Sequence, residues 1–162
     1  MKKHPTRSVL WLTLLATALL AGCDGDYLVD PDDDDGPLRF ETLYQNQDSE
    51  ISGRRELTIT NQASWERVWD DIGIGGPPPR VDFDREMVAL VAAGTQPDSC
   101  HFVEITDVRL DDGILEIDAD LIEPGTNCVC SDVVVRPVHA VVFRRVFAPA
   151  DFDVRRAVEN CR

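Results

Sequence analysis

Beyond Lys3 the sequence contains no lysine, and after position 22 it keeps only two histidines, His101 and His139. No apolar run reaches the roughly 20 residues that a transmembrane helix needs. Catalytic motifs are missing too. There is no H-E-x-x-H, no G-x-S-x-G and no glycine-rich phosphate loop, which removes the common metalloprotease, hydrolase and P-loop chemistries.

The scarcity of histidine bounds what acid–base chemistry remains. A Ser-His or Cys-His unit needs its base within hydrogen-bond reach of the nucleophile. His101 adjoins Cys100, but neighbours on a strand face opposite ways. His139 lies in an apolar stretch and reads as a satisfied sheet residue. The acidic pairs Asp70/Asp71 and Asp111/Asp112 read as solvated surface and turn chemistry. The expectation is a protein that is not an enzyme, with no catalytic residues, no metal site and no cofactor.

What is present is acid. After residue 22, 13 arginines face 30 aspartates and glutamates, a formal charge of −17. Such a chain is repelled by phosphate backbones, so nucleic acid is excluded as a partner. The use of arginine alone fits a GC-rich genome and carries no functional weight.

The N-terminus carries an address. Lys2, Lys3 and Arg7 precede an apolar run of 13 residues, Val9 to Ala21, too short to span a bilayer and suited to a signal peptide. It ends in Leu20-Ala21-Gly22-Cys23, which resembles a lipobox: small residues admit the peptidase, and the Cys23 thiol accepts the lipid. Residues 1–22 are expected to be removed and Cys23 lipidated. The protein would then be held in the cell envelope, on the extracytoplasmic side, by acyl chains worth about 0.8 kcal/mol per buried methylene. Residues 23–37 read as an acidic tether, with seven aspartates between Asp24 and Pro37 that repel one another and extend the chain. Asp30 to Glu41 imitates a calcium loop, but its sixth position is Asp35 rather than the glycine that the turn requires.

Residues 38–162 read as one domain. Cys100, Cys128, Cys130 and Cys161 imply two disulfides in an exported chain. Three connectivities exist. Cys128 and Cys130, one residue apart on an expected strand, point to opposite faces and should not pair together. The expected bonds are Cys100–Cys128 and Cys130–Cys161. Strands are expected at Phe40–Gln45, Glu56–Thr60, Met87–Ala93, His101–Leu110 and Gly113–Leu121, and then at Val129–Arg136 and Val138–Phe147, as two strands or one long bent strand interrupted at Pro137. A hairpin turn is expected at Asp111-Asp-Gly113. Trp65, Val68, Trp69 and Ile72 form one apolar stripe on a helix capped by Asn61 and ended by Gly73. A short helical turn is expected near Val154–Val158. The fold class is mainly β (α+β): an antiparallel sheet or sandwich of about seven strands with one packed helix.

Three segments then carry a resemblance: Thr58-Ile-Thr with Ala63-Ser-Trp-Glu-Arg-Val-Trp69, Pro77-Pro-Pro-Arg-Val-Asp-Phe-Asp-Arg-Glu-Met-Val88, and Gly94-Thr-Gln-Pro97. Their order resembles the domain of the protease complex subunit PrcB family, over roughly residues 50 to 146. In that family a Gly-Gly-Tyr turn stands where this chain has Asp98-Ser-Cys100-His-Phe102. Some relatives place a cysteine there and another near Cys128, which implies the same Cys100–Cys128 pairing. The resemblance implies an accessory protein that assembles, stabilises or regulates an envelope protease. Loops between rigid strands carry binding, so Pro77, Pro78, Pro79, Gln96, Pro97 and Asp98 are the candidate contacts. A small-molecule or ion binder using the acidic face is the second reading, and an enzyme the third. Replacing Cys23 with Ser should release the protein from membranes and abolish lipid labelling. Unchanged fractionation and labelling would overturn the lipid anchor.

Overall fold

Alternation along the strands decides where the core lies. The computed structural model describes residues 35–161; the signal segment, Cys23 and the tether as far as Asp34 lie outside the described residues. In chain order the elements are β1 (Gly36–Pro37), β2 (Phe40–Asn46), β3 (Arg55–Ile59), α1 (Gln62–Ile72), β4 (Glu86–Ala92), β5 (Phe102–Asp111), β6 (Ile114–Pro124), β7 (Val138–Arg144) and β8 (Ala150–Glu159). One sheet has the order β1-β5-β6-β8 and the other β2-β7-β4-β3. The expected mainly β class with one helix is the observed one.

β4 explains the layering. Met87, Ala89 and Val91 face the first sheet, where Val103, Ile105, Leu115 and Ile117 meet them. Val88, Leu90 and Ala92 point the other way, toward Trp65, Trp69 and Ile72 of α1. A strand covered on both faces has no polar side to show, hence its unbroken apolar run. The layers are sheet, sheet, helix.

The helix begins and ends as its sequence requires. Asn61 Oδ1 accepts from the Ser64 N–H, and Gly73 adopts φ 82°, its N–H bonding the Trp69 and Asp70 carbonyls. A Cβ at Gly73 would also lie 2.4 Å from the Glu50 side chain. Trp65 and Trp69 pack edge to face with centroids 5.5 Å apart, a contact worth about 0.5–1.5 kcal/mol beyond burial. Between β5 and β6, Asp112 (φ 47°) and Gly113 (φ 74°) make the expected hairpin turn, of the type with two left-handed residues.

Three expectations fail. Val129–Arg136 is not a strand, because Pro137 has no N–H to continue the ladder and the stretch before it contributes only isolated bridges. The tail is strand β8, parallel to β6, rather than a helical turn: Phe152 and Val154 alternate with Asp153 and Arg155, and the apolar pair packs on the core. Gly36 and Pro37, read as the end of the tether, pair with Leu110 and Arg109.

β1 is so short that most of the β5 edge is left without a strand. Side chains from the other sheet take its place. Gln45 Nε2 donates to the Val103 carbonyl, and His139 Nδ1 accepts from the Ile105 N–H at 2.8 Å. His139 therefore carries its proton on Nε2 and donates it to Thr42 Oγ1 at 2.9 Å. Burial pushes the His139 pKa down to about 4. The unfolded chain, with an ordinary histidine, takes up a proton that the fold refuses, so stability is full above the ordinary pKa and falls as pH drops toward 4. The slope approaches about 1.4 kcal/mol per pH unit inside that window. Urea titrations from about pH 7 to pH 5 should show this slope in the native protein and its loss in His139→Gln, which is weaker overall. Equal slopes in the two proteins would overturn the assignment.

Candidate functional site

Beyond the end of β4 and before the start of β7 the two segments stay together as an irregular ribbon. The Ala93 N–H bonds the Pro137 carbonyl, Gln96 and Val135 exchange both backbone bonds, and the Ser99 N–H bonds the Ser131 carbonyl. Ser131 N–H returns a bond to Ser99 Oγ. This antiparallel register sets Cys100 opposite Cys130, and they form a disulfide with α-carbons 5.6 Å apart. Cys128 lies past the Glu123–Asn127 turn beside the end of β8, where Gly125 bonds the Glu159 carbonyl. It pairs with Cys161, α-carbons 5.0 Å apart.

The expected pairs Cys100–Cys128 and Cys130–Cys161 are thus both wrong, although Cys128 and Cys130 do point to different partners. The physical reason is the ribbon. Its register, rather than a strand face, decides what lies across from Cys100.

Val129 sits between the two bonds, and Val133 and Val134 between Cys130 and the Gln96–Val135 bridge, and all three are exposed. Val129 is 97% exposed, Val133 57% and Val134 56%. Asn127 reinforces the loop, donating to the Cys161 carbonyl and accepting the Cys161 N–H. Beside the loop, Phe102 and Ile122 line a cleft of about 510 Å³ with Gln45, Gln47, Glu104 and Glu159. Gln47 Nε2 closes the inner side by donating to the Ser99 and His101 carbonyls.

Of the six candidate contacts, three sit at this end. Gln96 is committed to the ribbon, and its side chain donates to the Ala93 carbonyl. Pro97 is exposed. Asp98 Oδ1 accepts from the Cys100 N–H and from His101 Nδ1, each at 2.9 Å. The Cys100 N–H, foremost, and then the His101 bond hold the Asp98 carboxyl below its ordinary range, against desolvation. The carboxylate ties a turn. Asp98, Cys100 and Cys130 also place ligand-type atoms together, but both sulfurs are joined to each other and offer no thiolate.

The loop of Pro77, Pro78 and Pro79 lies apart from this end and is tied to the helix. Trp65 Nε1 donates to the Pro79 carbonyl and Trp69 Nε1 to the Gly76 carbonyl, so the proline loop closes over the indoles. The exposed valines were not anticipated. The signal was present in Cys128-Val-Cys130, where an apolar residue sits between cysteines that cannot bond each other.

Compared with known proteins, the chain matches no family model, no curated protein and no solved structure. Two disulfides mark an oxidising, extracytoplasmic compartment. No described helix is long and apolar enough to cross a membrane. Peptide mapping without reductant should recover Cys100–Cys130 and Cys128–Cys161 links. Removing either pair should lower stability by about 3–4 kcal/mol, the chain-entropy value for a loop of this size. A recovered Cys100–Cys128 peptide would overturn the ribbon register.

Proposed function

We propose that the domain is a lipid-anchored binding module that docks another envelope protein through the loop 125–134. The observation that carries this reading is an apolar loop exposed to solvent yet fixed: Val129 between the Cys128–Cys161 and Cys100–Cys130 bonds, and Val133 and Val134 between Cys130 and the Gln96–Val135 bridge. Exposed apolar side chains on a rigid loop lose little entropy on docking, which is what preorganised recognition requires. The lipobox-like Leu20-Ala21-Gly22-Cys23 supplies the anchor, and the PrcB-like segments favour an accessory role toward an envelope protease. A second reading, a small-molecule or ion binder, draws on the cleft beside Phe102 and Glu104, whose about 510 Å³ falls within the usual ligand-pocket range.

The test uses the full chain, cross-linked in intact cells against an unrelated lipoprotein as control. The native protein should enrich a specific envelope protein, and Val129→Asp with Val133→Asp should lose it. Exposed positions leave folding stability within about 0.5 kcal/mol of native. Equal capture by native and variant would overturn the loop as the docking surface.

A further inference from the structure

The outer strand of the first sheet is open. β8 pairs in parallel with β6 along its whole length, from Leu115↔Ala150 to Pro124↔Glu159, without a bulge. Among the described residues nothing pairs with its other edge. Edge strands are usually kept short, bulged or interrupted by proline. This one has ten residues and no proline inside it.

Which backbone groups face outward follows from two bonds. The Pro149 carbonyl accepts from Leu115 N–H and the Glu159 carbonyl from Gly125 N–H, both on the β6 side. Strand N–H and C=O groups alternate from side to side, so the odd positions serve β6 and Ala150, Phe152, Val154, Arg156 and Val158 present theirs to the open edge. The even side chains share one face, where Phe152 and Val154 pack on the core while Arg156 and Val158 stay exposed. The odd ones, Asp151, Asp153 and Arg155 among them, lie on the outer face.

We propose that β8 pairs with β8 of a second copy of this chain, antiparallel about a two-fold axis at Val154. In that register Val154 lies opposite its own copy, Phe152 opposite Arg156 and Ala150 opposite Val158. All are outward-bonding positions, so the ladder closes. Asp153 then lies opposite Arg155 of the second copy, twice by symmetry, in the pairs whose side chains approach most closely. Shifting the axis to Asp153 sets Asp151 opposite Arg155 but opposes two aspartates at its centre, and shifting it to Arg155 opposes two arginines. An axis at Phe152 sets Asp151 against Asp153, and one at Arg156 sets Asp153 against Glu159. Charge complementarity therefore selects Val154 among the neighbouring registers. Within one chain Arg155 reaches Asp118, Asp120 and Asp153 only at 3.7–3.9 Å, and the side chains of Asp153 and Arg155 are 65% and 57% exposed, so both can re-pair. The formal charge of −17 on each copy acts over distances that physiological salt screens beyond roughly 8 Å, while the Asp153–Arg155 pairs are in contact.

Sedimentation of the full chain in detergent, at physiological salt and from micromolar to millimolar protein, tests this. A monomer–dimer equilibrium is expected. Asp153→Arg alone or Arg155→Asp alone sets like charges opposite each other and should weaken the dimer at least about tenfold. The double exchange should restore it. Arg155 also touches its own sheet, so Val154→Pro provides a second probe: it removes an outward N–H without touching the β6 ladder, trims a side chain that packs on the core, and should abolish the dimer in a monomer whose folding thermal melting verifies. A monomer at every concentration would overturn the proposal and leave the edge to a strand from a different protein. So would a dimer indifferent to Val154→Pro, or single reversals that the double exchange fails to rescue.

Discussion

The antiparallel pairing of β4 with β7 is the constraint on which the other parts depend. Every residue from Met87 to Ala92 is buried, and β7 is buried beside it along most of its length. One face of this ladder supports the sandwich core and the other the helix with its two tryptophans. The same pairing continues past the strand ends as the ribbon that brings Cys100 to Cys130. A slip of one residue would exchange the two faces, misplace Trp65 and Trp69, and separate the sulfurs.

Burial at this density obliges each backbone group to find a partner, and the short β1 leaves a deficit along β5. Gln45 and His139 meet it with side-chain atoms rather than a strand, and Gln47 does the same for the Ser99 and His101 carbonyls just before it. This arrangement links the sheets by hydrogen bonds across an otherwise apolar interface. It also restricts His139 to its neutral form, because a protonated Nδ1 cannot accept the Ile105 N–H.

The outer face of the first sheet obeys a different rule. It is acidic, and Arg109 lies among Asp107, Glu116 and Asp118 at 2.5–2.9 Å. The hydrogen bonds that it donates to these carboxylates, to Asp118 foremost, hold the guanidinium charged beyond its ordinary range. With solvent on this side, such pairs contribute little individually to stability. Their consequence is directional: an acidic wall on one side of the molecule, bounded by an edge strand of mixed charge.

Much of this was legible in the chain itself. Period-two alternation from Ile114 to Leu121 named the buried and solvated faces of β6, the Asp112-Gly113 pair named its turn, and Asn61 and Gly73 named both ends of the helix, because each signal acts within a few residues. The composition named an oxidising compartment through its four cysteines. The partners of those cysteines belonged to the tertiary structure, since which sulfur faces which depends on the register of segments about 30 residues apart. So did the nature of the tail: Val154–Val158 is compatible with a helical turn or a strand in isolation, and only the parallel edge of β6 decided for the strand. The ties from Pro79 and Gly76 to the two indoles were not legible in the proline run, and Val129 looked like a strand residue and became the most exposed valine of the domain. Local chemistry determines which structure each segment can adopt; the segment packed against it determines which one it does.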